Sequence, residues 1–92
     1  MTPPTHIDGA RVLAWAWSDV PFGYVAAETG EAAIAIHGVA LCRYAGESRV
    51  YRFSCDACWA SQQDAIHDSL PEAREQLPDQ YRAIPASWHG MQ

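Results

Sequence analysis

Lysine is absent from the 92 residues; all six basic positions are arginine, set against eleven carboxylates for a formal charge of −5. Binding nucleic acid without sequence preference takes a dense positive stripe that displaces counterions from the phosphates. Six scattered arginines do not form one, so nucleic acid is not the expected partner. The acidic balance likewise disfavours anionic membranes. No apolar run is long enough to cross a bilayer: the longest, Ala32 to Cys42, is interrupted by His37 and Gly38. Met1 to Arg11 lacks the basic-then-apolar order of a secretory signal. Cysteine is sparse as well, and three is an odd number, which suits a reducing compartment better than a disulfide framework. The expected localisation is cytoplasmic. No P-loop, serine elbow or H-E-x-x-H motif is present, and there is neither an internal repeat nor a low-complexity tract.

What is present is apolar mass. Apolar and aromatic residues make up 49% of the chain, which excludes a mainly disordered one. The length supports one core, and a chain of this size buries roughly 60–65% of the surface its unfolded form exposes. Four tryptophans and four tyrosines fill a thin core efficiently and also make good association surfaces.

Residues 1–10 read as a flexible lead-in, with Pro3-Pro4 blocking regular structure and Asp8-Gly9 as a turn pair. Residues 11–92 read as a single α+β domain. Arg11 to Ser18 alternates as a strand with Leu13, Trp15 and Trp17 on one face and Val12, Ala14 and Ala16 on the other. Asp19 to Tyr24 breaks it, and Val25 to Glu31, with its Thr29-Gly30 turn signal, reads as a loop, with a short edge pairing as the alternative. Ala32 to Tyr44 is an extended run kinked at His37-Gly38. Ala45 to Ser48 connects it to a returning strand, Arg49 to Cys55. The parity of this hairpin sets Ala40, Cys42 and Tyr44 on the face of Tyr51, Phe53 and Cys55, with Val39, Leu41, Arg43, Val50, Arg52 and Ser54 opposite. Trp59 to Gln63 is either a fourth strand or part of a single helical turn. Ser69-Leu70-Pro71-Glu72 fits a capping box, and Leu70, Ala73 and Leu77 continue at helical spacing until Pro78. Tyr81, Ile84 and Trp88 are expected to pack the tail against the body. The expected fold is therefore α+β: a three- to four-stranded antiparallel meander sheet with one C-terminal helix packed on one face.

The stretch Val50-Tyr-Arg-Phe-Ser-Cys-Asp56, then Trp59, then Asp68-Ser-Leu-Pro-Glu-Ala73 resembles a group of short bacterial proteins without an assigned activity. The resemblance covers about the C-terminal half of the chain. It implies strand–strand–helix order and carries over no functional residue.

Cys55-Asp-Ala-Cys58, with Cys42 brought near by the hairpin parity, is the spacing that invites chemistry. A tetrahedral zinc site needs four thiolate or imidazole ligands, and Cys42, Cys55, Cys58 and either His67 or His37 would supply them. A dithiol redox pair at Cys55 and Cys58 is a second reading. Against both stands core packing, because free cysteine is among the most buried residue types and only one C-x-x-C is present. Core packing is favoured, and no cofactor is expected. Asp64-Ala-Ile-His67-Asp68 places carboxylates near an imidazole, so a small-ligand enzyme using His67 or His37 is a further alternative. The simpler reading is a polar connection to the helix, where Asp68 complements the dipole.

One short helix covers one face of such a sheet. The other, carrying Val39, Leu41 and Val50, together with Leu13, Trp15 and Trp17 of the first strand, would then need a cover. These six residues form the expected interaction surface. The expected function is a non-enzymatic binding or interaction module, acting as a homodimer or as a small accessory subunit.

Overall fold

The computed structural model describes residues 1–27 and 32–90. Among these the chain is mostly β. Eight strands, β1 (His6–Ile7), β2 (Ala10–Trp17), β3 (Gly23–Ala26), β4 (Ala33–Ile36), β5 (Gly38–Arg43), β6 (Val50–Cys55), β7 (Ser61–His67) and β8 (His89–Gly90), are joined by one short helix, α1 (Leu70–Glu75), and a 3₁₀ turn, Asp79–Ala83. A curled antiparallel sheet runs β1-β2-β5-β6-β7, with β8 also pairing β2, and β3-β4 form a separate two-stranded ribbon.

This overturns the three- to four-stranded meander with a helix packed across one face. The helix is six residues long and buries only Ala73, too little to roof a sheet. Its capping chemistry is nevertheless the one the sequence encodes: Ser69 Oγ accepts from the Glu72 amide at 3.2 Å, and the Glu72 carboxylate accepts from the Asp68 amide at 2.8 Å. The extra strands β1, β3, β4 and β8 are two to four residues long, too short to show an alternating pattern. No described helix is long and apolar enough to cross a membrane.

Local chemistry places the strand boundaries. Asp8 and Gly9 take positive φ, 50° and 82°, in the two-residue loop between Ile7 and Ala10. Asp-Gly suits this mirror-image turn because both central residues need left-handed backbone. The expected lead-in over 1–10 thus carries its own strand, and Pro3, Ile7 and Ala10 are buried. The run 32–44 is broken at His37, between β4 and β5, where the ribbon peels away from the sheet. Residues 23 and 24, expected in a break, pair with 35 and 36, and Val25 and Ala26 take the short pairing that was the alternative to a loop; the Thr29-Gly30 turn signal lies outside the described residues. Residues 57–60 turn, and β7 then runs to His67, so the expected polar connection is a sheet strand.

The pairing of β5 with β6 sets Gly38, Ala40 and Cys42 opposite Cys55, Phe53 and Tyr51, in keeping with the hairpin parity. Strand β2 departs from simple alternation. A bulge at Leu13 leaves Val12 opposite Cys42 and Ala14 opposite Leu41. Val12 therefore shares a face with Trp15 and Trp17, and the expected Leu13/Trp15/Trp17 stripe is interrupted.

One sheet face carries Ala14, Ala16, Val39, Leu41 and Val50, and these five are fully buried. Ala73 of α1, Tyr81 of the 3₁₀ turn, Trp88 of the tail, and Phe22, Val25 and Ile36 around the ribbon pack on it. Tyr81 is the centre of this cover. It is 1% exposed, its ring lies beside Phe22, and its hydroxyl donates to Ser54 Oγ.

Candidate functional site

The second sheet face is built by register. Val12, Cys42, Tyr51 and Ile66 form one row across β2-β5-β6-β7; Trp15, Ala40, Phe53 and Asp64 form the next; Trp17, Gly38, Cys55 and Ser61 form the third. Small residues in the middle strands leave room, and large aromatics from their neighbours lie over them. The hydrophobic cluster here takes no residue from α1, the 3₁₀ turn or the ribbon. Trp15, Trp17, Tyr44 and Tyr51 pack on it half-buried, and Ile66 is 50% exposed beside Tyr51.

The aromatics are mutually ordered. His89 stacks on Trp15 at 4.4 Å between ring centroids, and Trp15 meets Trp59 edge-on at 6.0 Å. Trp59 lies 5.5 Å from Trp17, which in turn stacks on His37 at 5.7 Å. Tyr44, Tyr51 and Phe53 continue the array across the sheet. These are the offset and edge-to-face arrangements that ring quadrupoles favour. Polar anchors hold one end of the tryptophan row: Trp17 Nε1 donates to Asp19 at 3.0 Å, and His37 Nδ1 lies 2.9 Å from the Ser18 carbonyl oxygen.

Trp59 sits on Gly38. A Cβ on that glycine would lie 2.5 Å from the indole, so only glycine admits the ring. Trp59 itself takes a positive φ of 62°. The turn before it is held by Asp56, whose carboxylate accepts from the Cys58 and Ala60 amides at 2.8 and 3.0 Å.

Of the six residues expected to form the interaction surface, Trp15 and Trp17 belong to this face. Leu13 is the bulge residue and lines a separate groove. Val39, Leu41 and Val50 are fully buried under the ribbon and the C-terminal segments and offer no surface. The cover was missed because Tyr81, Trp88 and Phe22 come from segments with no periodicity. Ile66 was missed as a surface residue and Trp59 as a core residue of this face; the glycine within the β5 pattern was the available signal for Trp59.

The metal alternative is not assembled. Among the described residues no three His, Cys, Asp or Glu side chains come together to hold an ion. Cys42 is opposite Tyr51 and Cys55 opposite Gly38, four residues apart along the ladder, about 13 Å at the rise of a strand. His67, opposite Val50, projects to the other face, and Cys58 is exposed in the turn. The dithiol alternative lacks an activated thiolate: burial pushes the Cys55 thiol up to about 12, and no helix N-terminus faces it. The Cys42 thiol is likewise pushed up to about 12 by burial, with Asp8 adding to it. The histidine alternatives fare similarly. His67 is buried on one face while Asp64, opposite Phe53, is on the other. His37 is engaged with Ser18 and Trp17.

Compared with known proteins, the chain matches no family model, no curated protein and no solved structure.

Proposed function

We propose that the chain is a non-enzymatic interaction module of the cytoplasm that docks a second copy of itself through the aromatic face of its sheet. The observation that carries this reading is the pair Trp15 and Trp17, half-buried on either side of the buried Trp59, on the same face as exposed Ile66. Aromatic residues dominate the cores of protein interfaces, where charged residues are depleted. The apolar middle of the opposite face is already filled by the chain's own segments. Strand β7 ends the path of the sheet, so its outer backbone groups lie beside the same face and allow a partner to extend the ladder. Closed twofold self-association is the commonest way a small soluble chain covers such a patch. The unpaired thiols Cys42, Cys55 and Cys58 suit a reducing compartment. On this reading the module works without a cofactor.

Light scattering at micromolar concentration tests it. The expected mass is twice the 10.1 kDa of one chain, and Ile66→Glu, a change at an exposed position, restores the mass of one chain. A wild-type chain that scatters as a monomer sinks the proposal.

A further inference from the structure

Away from the aromatic face, one imidazole and two guanidinium side chains meet in a row. His6 of β1 is opposite Arg11 of β2, and Arg11 is directly opposite Arg43 of β5. Directly opposed residues of an antiparallel pair have Cβ atoms about 4.5–5.5 Å apart, and like charges so placed repel. The chain carries a net −5 and eleven carboxylates, yet no described carboxylate lies within 4.0 Å of either guanidinium. The Nε–H of Arg43 is buried and has no hydrogen-bond partner among the described residues. A buried donor left in this state is costly, and a native structure normally supplies its acceptor.

These three side chains line a groove of about 340 Å³, the size range of small-molecule sites. Two glycine turns, Gly9 and Gly46, both at φ +82°, also line it and add no side-chain bulk. Two other polar side chains line it. Tyr44 donates its hydroxyl to the Asp8 carbonyl at 3.1 Å. The Glu47 carboxylate is engaged by the Tyr51 hydroxyl at 3.3 Å and by Arg49 at 3.7 Å. Glu47 is thus already neutralised in part, which leaves the arginine pair as the uncompensated charge.

We propose that this groove binds a small oxyanion, a phosphate- or carboxylate-bearing metabolite, held between Arg11 and Arg43 with His6 at its rim. Planar guanidinium forks match both anions bidentately, and an anion placed between them turns their repulsion into two charge-assisted contacts. The Arg43 Nε–H then gains the acceptor it lacks.

The test is an NMR titration of the ¹⁵N-labelled chain with inorganic phosphate and, separately, with citrate, at constant ionic strength. The expected result is saturable shifts confined to the Nε–Hε signals of Arg11 and Arg43 and the amides of Gly9 and Gly46. Saturation by phosphate alone, by citrate alone or by both assigns the ligand to phosphates, carboxylates or oxyanions in general. Arg43→Gln weakens binding about tenfold or more, the loss expected of a charge-assisted contact, and adding Arg11→Gln abolishes it. Arg82→Gln, at an exposed arginine paired with Asp79, leaves it unchanged. Melting curves give an independent reading. Without anion, Arg11→Gln melts at or above wild type because the repulsion is relieved; with saturating anion it melts below. Linear, diffuse shifts that persist in the double variant overturn the proposal, as does a wild type that gains no more from the anion than Arg11→Gln does.

Discussion

The Tyr81 hydroxyl donates to Ser54 Oγ at 3.0 Å, tying the C-terminal 3₁₀ turn to the interior of β6 across 27 residues of chain. Both residues are buried, so each is the other's route to satisfaction. This bond fixes the tail over Val39 and Leu41 and thereby decides which sheet face is closed. Tyr81→Phe leaves the ring's packing intact and strands the Ser54 hydroxyl, at a cost of about 1–2 kcal/mol. For a chain this short the melting temperature falls by about 4–8 °C per kcal/mol. Ser54→Ala in the same background recovers part of the loss, because both polar groups are then gone. A double-mutant cycle by thermal melting measures this, and strictly additive losses exclude the bond as a stabilising contact.

Gly38→Ala tests the seat of the tryptophan row. The new methyl would meet the Trp59 indole at 2.5 to 2.8 Å. The Asp56 hydrogen bonds hold the turn from which the ring projects, so the indole cannot simply withdraw. The expected cost is about 1–3 kcal/mol, the range of overpacking changes, together with an altered near-ultraviolet dichroism spectrum. A variant with unchanged spectrum and stability contradicts the contact.

The thiols give a prediction in pH. Burial raises Cys42 and Cys55 to about 12, above the ordinary thiol value of 9.0. A native state that keeps its protons where the unfolded state has lost them is favoured at low pH and loses ground as pH rises. Their contribution is therefore fully present below pH 9 and declines between pH 9 and about 12. Urea melts across this range read the decline. At neutral pH, exposed Cys58 reacts with a thiol reagent in the native chain, while Cys42 and Cys55 react only after unfolding. Three thiols titrating in the folded protein refute the buried assignment.

Much of the local structure was legible because its chemistry is local. Asp8-Gly9, the break at His37-Gly38 and the Ser69–Glu72 cap each act through residues adjacent in sequence. The hairpin parity of β5 and β6 was legible for the same reason: a turn of even length sets the faces. The architecture was not. Strands of two to four residues carry no period, and the bulge at Leu13 has no glycine to announce it. Trp15 and Trp17 could be read as a face from their alternation, but the burial of Val39, Leu41 and Val50 depends on Tyr81, Trp88 and Phe22, which arrive from far along the chain. The oxyanion groove is likewise a product of register: His6, Arg11 and Arg43 become neighbours only once β1, β2 and β5 are paired.

Arg52 separates charge from packing in the closed core. It is 5% exposed, its Nε has no hydrogen-bond partner, and its guanidinium sits 6.0 Å from the centre of the Tyr81 ring. No described carboxylate pairs with it within 4.0 Å. Burial lowers its pKa, the mark of a cation held where its charge is poorly solvated. The aromatic face offsets part of that cost, by about 1–2 kcal/mol for a desolvated pair. The aliphatic stem fills space between Leu41 and Ala65, its neighbours across the ladder. Arg52→Met keeps the stem's volume and removes the charge, so the chain should be at least as stable as wild type. Arg52→Ala removes both and should cost about 1–3 kcal/mol through lost packing. Denaturant melts of the two variants therefore rank methionine at or above arginine, and arginine above alanine. If methionine falls as far as alanine, the guanidinium itself stabilises the core, and a partner for it must exist that the ring of Tyr81 does not account for.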